Sequence, residues 1–512
     1  MKINNLVKNY AKIKEGGSNI METEVKHIDF KKDRRFFGHP KGMMVTSSMA
    51  LAHAFGNYGM SAILIYYLYT AVAEGGLGFS KTNAAQFVNV YSSLSFMAGV
   101  IGGYIADRFL GVRKALTIGY AVKTIGYFLL AIPGGGSILY LGSQFMLLVS
   151  GTLMGTSLYA LAGKLYEKGD DRRDGGFSIM YVMNNVGAVS PIITGTIAQI
   201  LNYHMGFLFA AVIQLLGWVL YVLTQNRVFG DAGLKPDDPV PEDKRGKALF
   251  KIAAGVIVFA AGVIVMLTSG IFTPTVFCNA VSIVSIFVPL AYLVYIYTSK
   301  KTTRAEAVRI IPFAFIFVAN CFNMMIWNQS TTILAIYAAE RVNMNLFGFE
   351  LTPAAFQTVP AVLAVLFGTF ASGLWTKLGD KQPSTPLKFG IGTAFWAFGP
   401  LFMIIPFILY SANVKVSPMW LMIFYVLVIW GEAMTSPVGM AASAKVAPVA
   451  FTAQMVTVWQ LSQATGSGLS ALFVTFYKQG SESAYFLGIG GVTLLIGVIL
   501  WVFSRKLSEL ME

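Results

Sequence analysis

Three side chains able to carry or exchange a proton stand inside long apolar stretches: His53 in "MALAHAFGNYGMSAILIYYLY", Lys123 in "GYAVKTIGYFLL" and Glu432 in "VLVIWGEAMTSPVGM". A charge in hydrocarbon costs on the order of 3 kcal/mol or more, so such residues persist only with a partner or a task. Glu432 offers an acceptor for an ammonium and a place to hold a proton, or else a structural carboxylate bonded to a neighbouring helix. His53 is the residue type whose ordinary pKa of about 6.5 suits exchange near neutrality; it either carries a proton or hydrogen-bonds across a bundle. Lys123 supplies a positive charge to an anionic ligand, pairs with a carboxylate such as Glu432, or sits structurally near a helix end. Neutral polar residues accompany them: Asn57, Asn89, Asn184, Asn185, Asn320, Asn323, Asn328 and Gln329. Tyr58, Tyr91, Tyr159 and Trp459 can supply amphipathic walls that stack and hydrogen-bond. The four histidines, His27, His39, His53 and His204, are scattered, and paired carboxylates or a nucleophile with its base are absent. The pattern therefore points away from catalysis, a metal or a cofactor, and towards binding of a small polar molecule with proton exchange.

The elements that must position these groups follow from composition. The chain has 512 residues, 55% hydrophobic and only 12% charged, whereas soluble domains carry about a quarter charged residues. It reads as a polytopic membrane protein whose first partner is the lipid bilayer. Fourteen stretches approach the ~20 apolar residues that cross a bilayer as a helix: 44–72, 84–106, 114–133, 137–163, 176–200, 205–226, 248–268, 276–298, 309–337, 353–377, 386–410, 417–446, 452–477 and 484–504. The ten-residue alternation of an outer-membrane barrel is missing, so the expected fold is all-α. Cys278 and Cys321, the 2 cysteines, fall inside these stretches, which argues against a disulfide framework.

The formal charge of +14 is distributed by topology. Basic residues gather in the tail (Lys31, Lys32, Arg34, Arg35, Lys41) and in alternate connectors, at Arg108 to Lys114, Arg172 with Arg173, Lys235 to Lys247, Lys300 to Arg309, Lys377 to Lys388 and Arg505 with Lys506. The connectors between, such as "IPGGGS" and "LNYHMG", carry almost none. That asymmetry is the positive-inside rule; it places both termini in the cytoplasm and makes a nucleic-acid partner unnecessary.

Six spans, a charged connector, two spans, a basic connector and six spans give a 6 + 2 + 6 layout. The expected division is a tail over 1–43, a first bundle over 44–226, connectors with two inserted helices over 227–308, a second bundle over 309–507 and a short cytoplasmic end over 508–512. Two six-helix bundles around a midplane site are the plan of major facilitator transporters. The inserted pair has few polar residues and reads as peripheral. "GGYIADRFLGVRK" (Gly102 to Lys114) resembles the loop motif of that superfamily, with Gly103 and Gly111 allowing close approach and Asp107 and Arg108 able to contact neighbouring helix termini.

More of the chain resembles one branch, the proton-dependent oligopeptide transporters. The resemblance rests on "FFGHPKGM", "LYEKGDDRRDGGFSIMYVMNNVGA", "LFGFELTPAAFQ", "STPLKFGIGT" and "GEAMTSPVGMAASAKVAP". It implies a cytoplasmic-membrane protein, bacterial given the inserted pair, acting as a monomer. Its implied activity is alternating-access transport of di- and tripeptides or a related small polar solute, coupled to protons. The family's first-helix Glu-x-x-Glu-Arg motif, aligned on "YGM", falls on Ala50, His53 and Ala54, and its next arginine on Ser61. The fourth-helix lysine falls on Gly155 and the seventh-helix acid on Asn328, beside a retained Gln329. Tyr58, Asn185, Glu432 and Trp459 survive, with Tyr91 as a further contact. The expected solute contacts are Asn57, Tyr58, Tyr91, Asn185, Asn328, Gln329, Glu432 and Trp459, with His53 and Glu432 exchanging protons. Losing a whole ion network together also fits the alternative of a facilitator or exporter of a non-peptide solute without the usual carboxylate coupling.

Overall fold

A computed structural model describes residues 29–511 apart from 31, 168, 269–272 and 347; residues 1–28 of the expected tail lie outside the described residues. The helices, in chain order, are α1 (Gly42–Tyr69), α2 (Lys81–Ile105), α3 (Val112–Ala131), α4 (Gly136–Met154), α5 (Ser157–Gly163), α6 (Arg172–Gly187), α7 (Ser190–Ile200), α8 (Tyr203–Val228) and α9 (Glu242–Thr268). They continue with α10 (Pro274–Thr298), α11 (Arg304–Gln329), α12 (Ile333–Arg341), α13 (Val359–Leu378), α14 (Thr385–Leu409), α15 (Met419–Lys445), α16 (Thr452–Phe473), α17 (Glu482–Val502) and α18 (Ser504–Met511). Several starts are chemically marked. Ser80 and Asn202 accept hydrogen bonds from the backbone of Asn83 and Met205, and Thr303 with Glu306 forms a reciprocal capping box at α11. The all-helical expectation holds except for a hairpin of β1 (Asn345–Leu346) and β2 (Phe349–Glu350).

Ten helical segments among the described residues are long and apolar enough to cross a membrane. The expected spans in α1, α3, α9 and α16 are not among them. For α1 and α16 the reason is that most of each helix is buried among other helices, so neighbouring side chains rather than lipid solvate them and polar residues are tolerated.

Two groups of helices emerge from the packing. In one, α1 packs on α6, α7 and α8, and α3 on α4 and α8; in the other, α14 packs on α15 and α17, and α11 on α16 and α17. The groups meet along α2 and α16 and where α7 touches the turn Pro353–Thr358. At the end away from the basic connectors they share one apolar core containing Ile63, Tyr67, Met325, Ile336 and Trp396. There the Tyr66 hydroxyl donates to the Ala335 carbonyl at 3.0 Å, and Lys81 pairs with Glu340. Towards the basic end the facing surfaces part, leaving Tyr159 and Tyr181 exposed.

The inserted helix α10 is not detached from this arrangement. It packs against both α2 and α16. The Gln86 amide of α2 donates to Asn279 of α10 at 3.3 Å and to the Ala471 carbonyl of α16 at 3.3 Å. Thr465 of α16 donates to the Ser285 carbonyl of α10 at 2.8 Å.

Ahead of α1, residues 29, 30 and 32–41 form a collar against the start of α6. Asp33 accepts from Nε and Nη2 of Arg35, both at 2.8 Å, and from the Lys41 amide at 3.0 Å. The Arg172 guanidinium donates to the carbonyls of Phe30, Asp33 and Gly38 while pairing with Asp170. The Arg35 guanidinium holds the Asp33 carboxyl at about 2, below its ordinary 3.8.

A candidate solute site between the helical groups

Helix α1 presents different faces to different neighbours, and its small residues decide which. Ala50 is buried in the cluster with Tyr120 and Leu158. Ala54 meets Gly187 of α6, where an added Cβ would stand 2.8 Å from the Ala54 methyl. Two positions where the resemblance expects charge are thus occupied by close helix packing. His53 and Asn57 are half-buried and Tyr58 is exposed; Tyr58 lies on the side towards Glu432, whereas His53 turns to Lys123 and Tyr120 of α3.

The fourth-helix position is changed more deeply. Gly155 breaks α4 from α5 with φ 44° and ψ −125°, a conformation open essentially to glycine. An added Cβ would lie 2.3 Å from the Gly103 nitrogen, so the backbone itself excludes a lysine here. On the α2 side the glycine whose missing side chain permits this crossing is Gly102, packed on the backbone of Gly151 and Gly155, whereas at Gly103 an added Cβ would meet only the Thr156 hydroxyl, at 4.0 Å.

Across the opening, a cavity of about 480 Å³ lies between α13, α15 and Tyr181 of α6, and Glu432, Ser436, Trp375 and Ser372 line it. Tyr58 and Tyr181 both interact electrostatically with the Glu432 carboxylate, and Tyr58 also with Tyr159. Residues from both helical groups are therefore brought round one carboxylate: Tyr58 and Tyr181 from one, Glu432 from the other. Asn185, one turn beyond Tyr181, donates to its carbonyl at 2.9 Å and is half-buried.

Lys123 has a different partner from the carboxylate considered above. Its Nζ lies 3.3 Å from His53 Nδ1 and 5.6 Å from the centre of the Tyr127 ring. Among the described residues no ion pair joins it to Glu432 or any other acid. Tyr91 is half-buried near Tyr127, with which it interacts.

Three of the expected contacts sit in the second group's interior. Gln329 is 1% exposed; its amide nitrogen donates to Ser470 at 2.9 Å and its oxygen accepts from the Tyr485 hydroxyl at 2.8 Å. Asn328 donates to the Met324 carbonyl and accepts from Ser467. Trp459 packs between Phe313 and Phe389, with Gly439 against its ring edge. Polarity in the sequence did not distinguish these nodes between helices from a cavity wall.

The loop motif also acquires an unforeseen partner. Arg108 pairs with Asp238 of the connector after α8 rather than with a helix terminus. The Asp238 and Val240 amides donate to the carbonyls of Asp107 and Arg108, and Lys164 pairs with Asp237. At Gly111 the connector backbone comes so near that an added Cβ would meet the Leu234 carbonyl at 2.8 Å. The motif is a dock for the connector, which the acidic pair in "KPDDPVP" could have signalled.

The sequence profile of the POT family matches residues 113–495. The chain belongs to the POT family. It is 37% identical to an uncharacterised transporter, YclF, of Bacillus subtilis (strain 168), over 93% of this chain and 96% of that protein. A di-/tripeptide transporter of Lactococcus lactis subsp. cremoris is 32% identical, over 94% of this chain and 98% of that protein. The crystal structure of a peptide transporter POT in complex with sulfate superposes with a TM-score of 0.91 at 36% identity, over 95% of this chain and 100% of that one. This POT-family chain is accordingly a multi-pass membrane transporter and not an enzyme.

Proposed function

We propose that this POT-family chain is a secondary active transporter carrying di- and tripeptides, or a polar solute of similar size, by alternating access driven by protons. The observation that carries the reading is the Glu432 carboxylate in a cavity of about 480 Å³ that Tyr181 of the opposite group also lines. That volume is in the range of small-ligand sites, and the carboxylate suits a solute ammonium. The chain-long likeness to a di-/tripeptide transporter supports the same cargo. His53 and Glu432 exchange the driving proton, with Tyr58, Asn57, Tyr91 and Asn185 as solute contacts on the first group and Glu432 on the second, where Asn328, Gln329 and Trp459 brace the helices behind it. The fourteen spans, divided at 44–226, 227–308 and 309–507, put both termini in the cytoplasm of a bacterial cell. The unit of transport is the monomer.

The test is uptake of a panel of di- and tripeptides into liposomes holding purified protein, with and without an imposed pH gradient. Gradient-driven accumulation is expected; His53→Ala abolishes it while sparing exchange, and Glu432→Gln, which also removes the partner of the solute ammonium, lowers accumulation and exchange together. A second reading, a facilitator or exporter of a non-peptide solute, draws on the packing that closes positions 50 and 54. Flux that ignores the gradient and both substitutions would select it.

A further inference from the structure

We propose that Lys123 and His53 hold one exchangeable proton between them, with Lys123 as the positioning residue that fixes which ring nitrogen of His53 is free to exchange with solvent. The inference rests on the proton-driven reading above and deepens it.

Two basic nitrogens 3.3 Å apart can hydrogen-bond only when one of them has a free lone pair. With the ammonium donating to Nδ1, the imidazole is neutral and carries its hydrogen on Nε2. A second proton on the pair destroys the hydrogen bond and sets two like charges side by side, with no carboxylate within ion-pair distance among the described residues. The groups facing the pair are neutral ones. Tyr120 lies 5.7 Å from the His53 ring, and Tyr127 lies beside Lys123 on the same helix. Gln214 of α8 reaches Gly56, one turn from His53, on the side where Tyr127 also stands. Beyond these come Tyr91, Tyr159 and Tyr221, which interact with Tyr127 and Tyr120. The hydroxyls of Tyr120 and Tyr127 and both ends of the Gln214 amide are buried without a protein partner, so the surroundings are polar but supply no counter-charge.

Exposure gives the pair a direction. Lys123 is 7% exposed, whereas His53 is half-buried, so the imidazole is the member of the pair that solvent reaches. Release then balances as a relay: the ammonium gives a proton to Nδ1, and Nε2 gives its own to solvent. What remains is a neutral amine accepting from the Nδ1 hydrogen, so one hydrogen bond persists with its direction reversed. Loading runs the same steps backwards. The pair stores a proton behind the wall and delivers it through the imidazole, without the paired glutamates that the resemblance expects.

The experiment uses full-length Lys123→Arg and Lys123→Met proteins, checked for monodispersity and thermal stability, with Lys123→Gln replacing either one that fails to fold. Lys123→Arg retains a fixed charge that cannot leave; gradient-driven accumulation is expected to fall at least about tenfold while solute exchange stays within about twofold of wild type. Nitrogen-15 NMR of histidine-labelled protein, with His53 assigned by His53→Ala, gives a readout independent of transport. Wild type is expected to show Nδ1 as the acceptor nitrogen and Nε2 as the protonated one, a signature kept in Lys123→Arg and lost in Lys123→Met. An unchanged His53 signature in Lys123→Met, or full accumulation by Lys123→Arg, overturns the proposal. Exchange without gradient-driven accumulation in wild type would instead overturn the proton-driven reading, and the NMR signature would still decide whether the pair exists.

Discussion

Replacing Asp33 by asparagine removes the charge that organises the collar ahead of α1 and leaves its shape nearly unchanged. The carboxylate takes four hydrogen bonds, from the Arg35 side chain twice and from the Arg35 and Lys41 amides. Its folded pKa of about 2 lies below the ordinary 3.8, which by linkage corresponds to roughly 2 kcal/mol. The Asp33 side chain is 4% exposed but that of Arg35 is 59% exposed, so water and salt screen part of it and about 1–2 kcal/mol remains. Because the folded value is depressed, the stabilisation is fully present above the ordinary value and is lost as pH falls through it towards 2. The collar is a local unit, so the measurement is local: hydrogen exchange of the amides over residues 29–41, compared between wild type and Asp33→Asn at the same pH. Opening free energy lowered by that amount speeds exchange about 5- to 30-fold near pH 6. The ratio should shrink towards one as pH approaches 2. Equal exchange in the two proteins at pH 6, or a ratio that grows on acidification, would refute the assignment of the collar's stability to this carboxylate.

Other outcomes follow from positions inside the bundles. Gly155→Lys restores the residue the family resemblance expects, yet it should lower thermal stability or abolish folding, because it adds roughly 1–3 kcal/mol of backbone strain to a collision with the Gly103 amide; a stable variant with normal helix content would show that the break is not required. Tyr485→Phe leaves the buried Gln329 oxygen without its donor and should cost about 1–3 kcal/mol in the midpoint of thermal or denaturant unfolding. Gly439→Ala drives a methyl to 2.0 Å from the Trp459 ring and should destabilise by about 1–3 kcal/mol, with Trp459→Phe in the same chain recovering part of it. Absence of that recovery would separate the glycine's role from the ring.

The all-helical fold was legible because hydrophobic length is a property of local sequence. Breaks within spans were not, since hydropathy does not register backbone dihedrals: 137–163 reads as one stretch, yet Gly155 divides it into α4 and α5. The same holds for 309–337, which parts at Ser330 to Thr332 between α11 and α12. At the site, Glu432 was legible because a lone carboxylate in an apolar run is conspicuous. The Lys123–His53 contact was not, because 70 residues separate the pair and only the α1–α3 geometry joins them. Gln329 and Trp459 matched the family by position, but whether a side chain turns to a cavity or to a neighbouring helix is set by tertiary packing. Trp375, which lines the cavity with Glu432, gave no signal beyond being aromatic, and Tyr181 lay within the quoted family signature without being distinguished from its neighbours.

Helix α10 carries a mechanical consequence. It is bonded to α2 and α16, the two helices along which the groups adjoin, so any rocking of one group on the other shears α10 against at least one of them. An insertion joined to both arms of a lever acts as a spring across the fulcrum, setting how far the arms part and how readily they return. Evolution of the inserted pair could therefore tune turnover without altering any residue that touches cargo, through Gln86, a single amide bridging three helices, and through the Thr465–Ser285 bond.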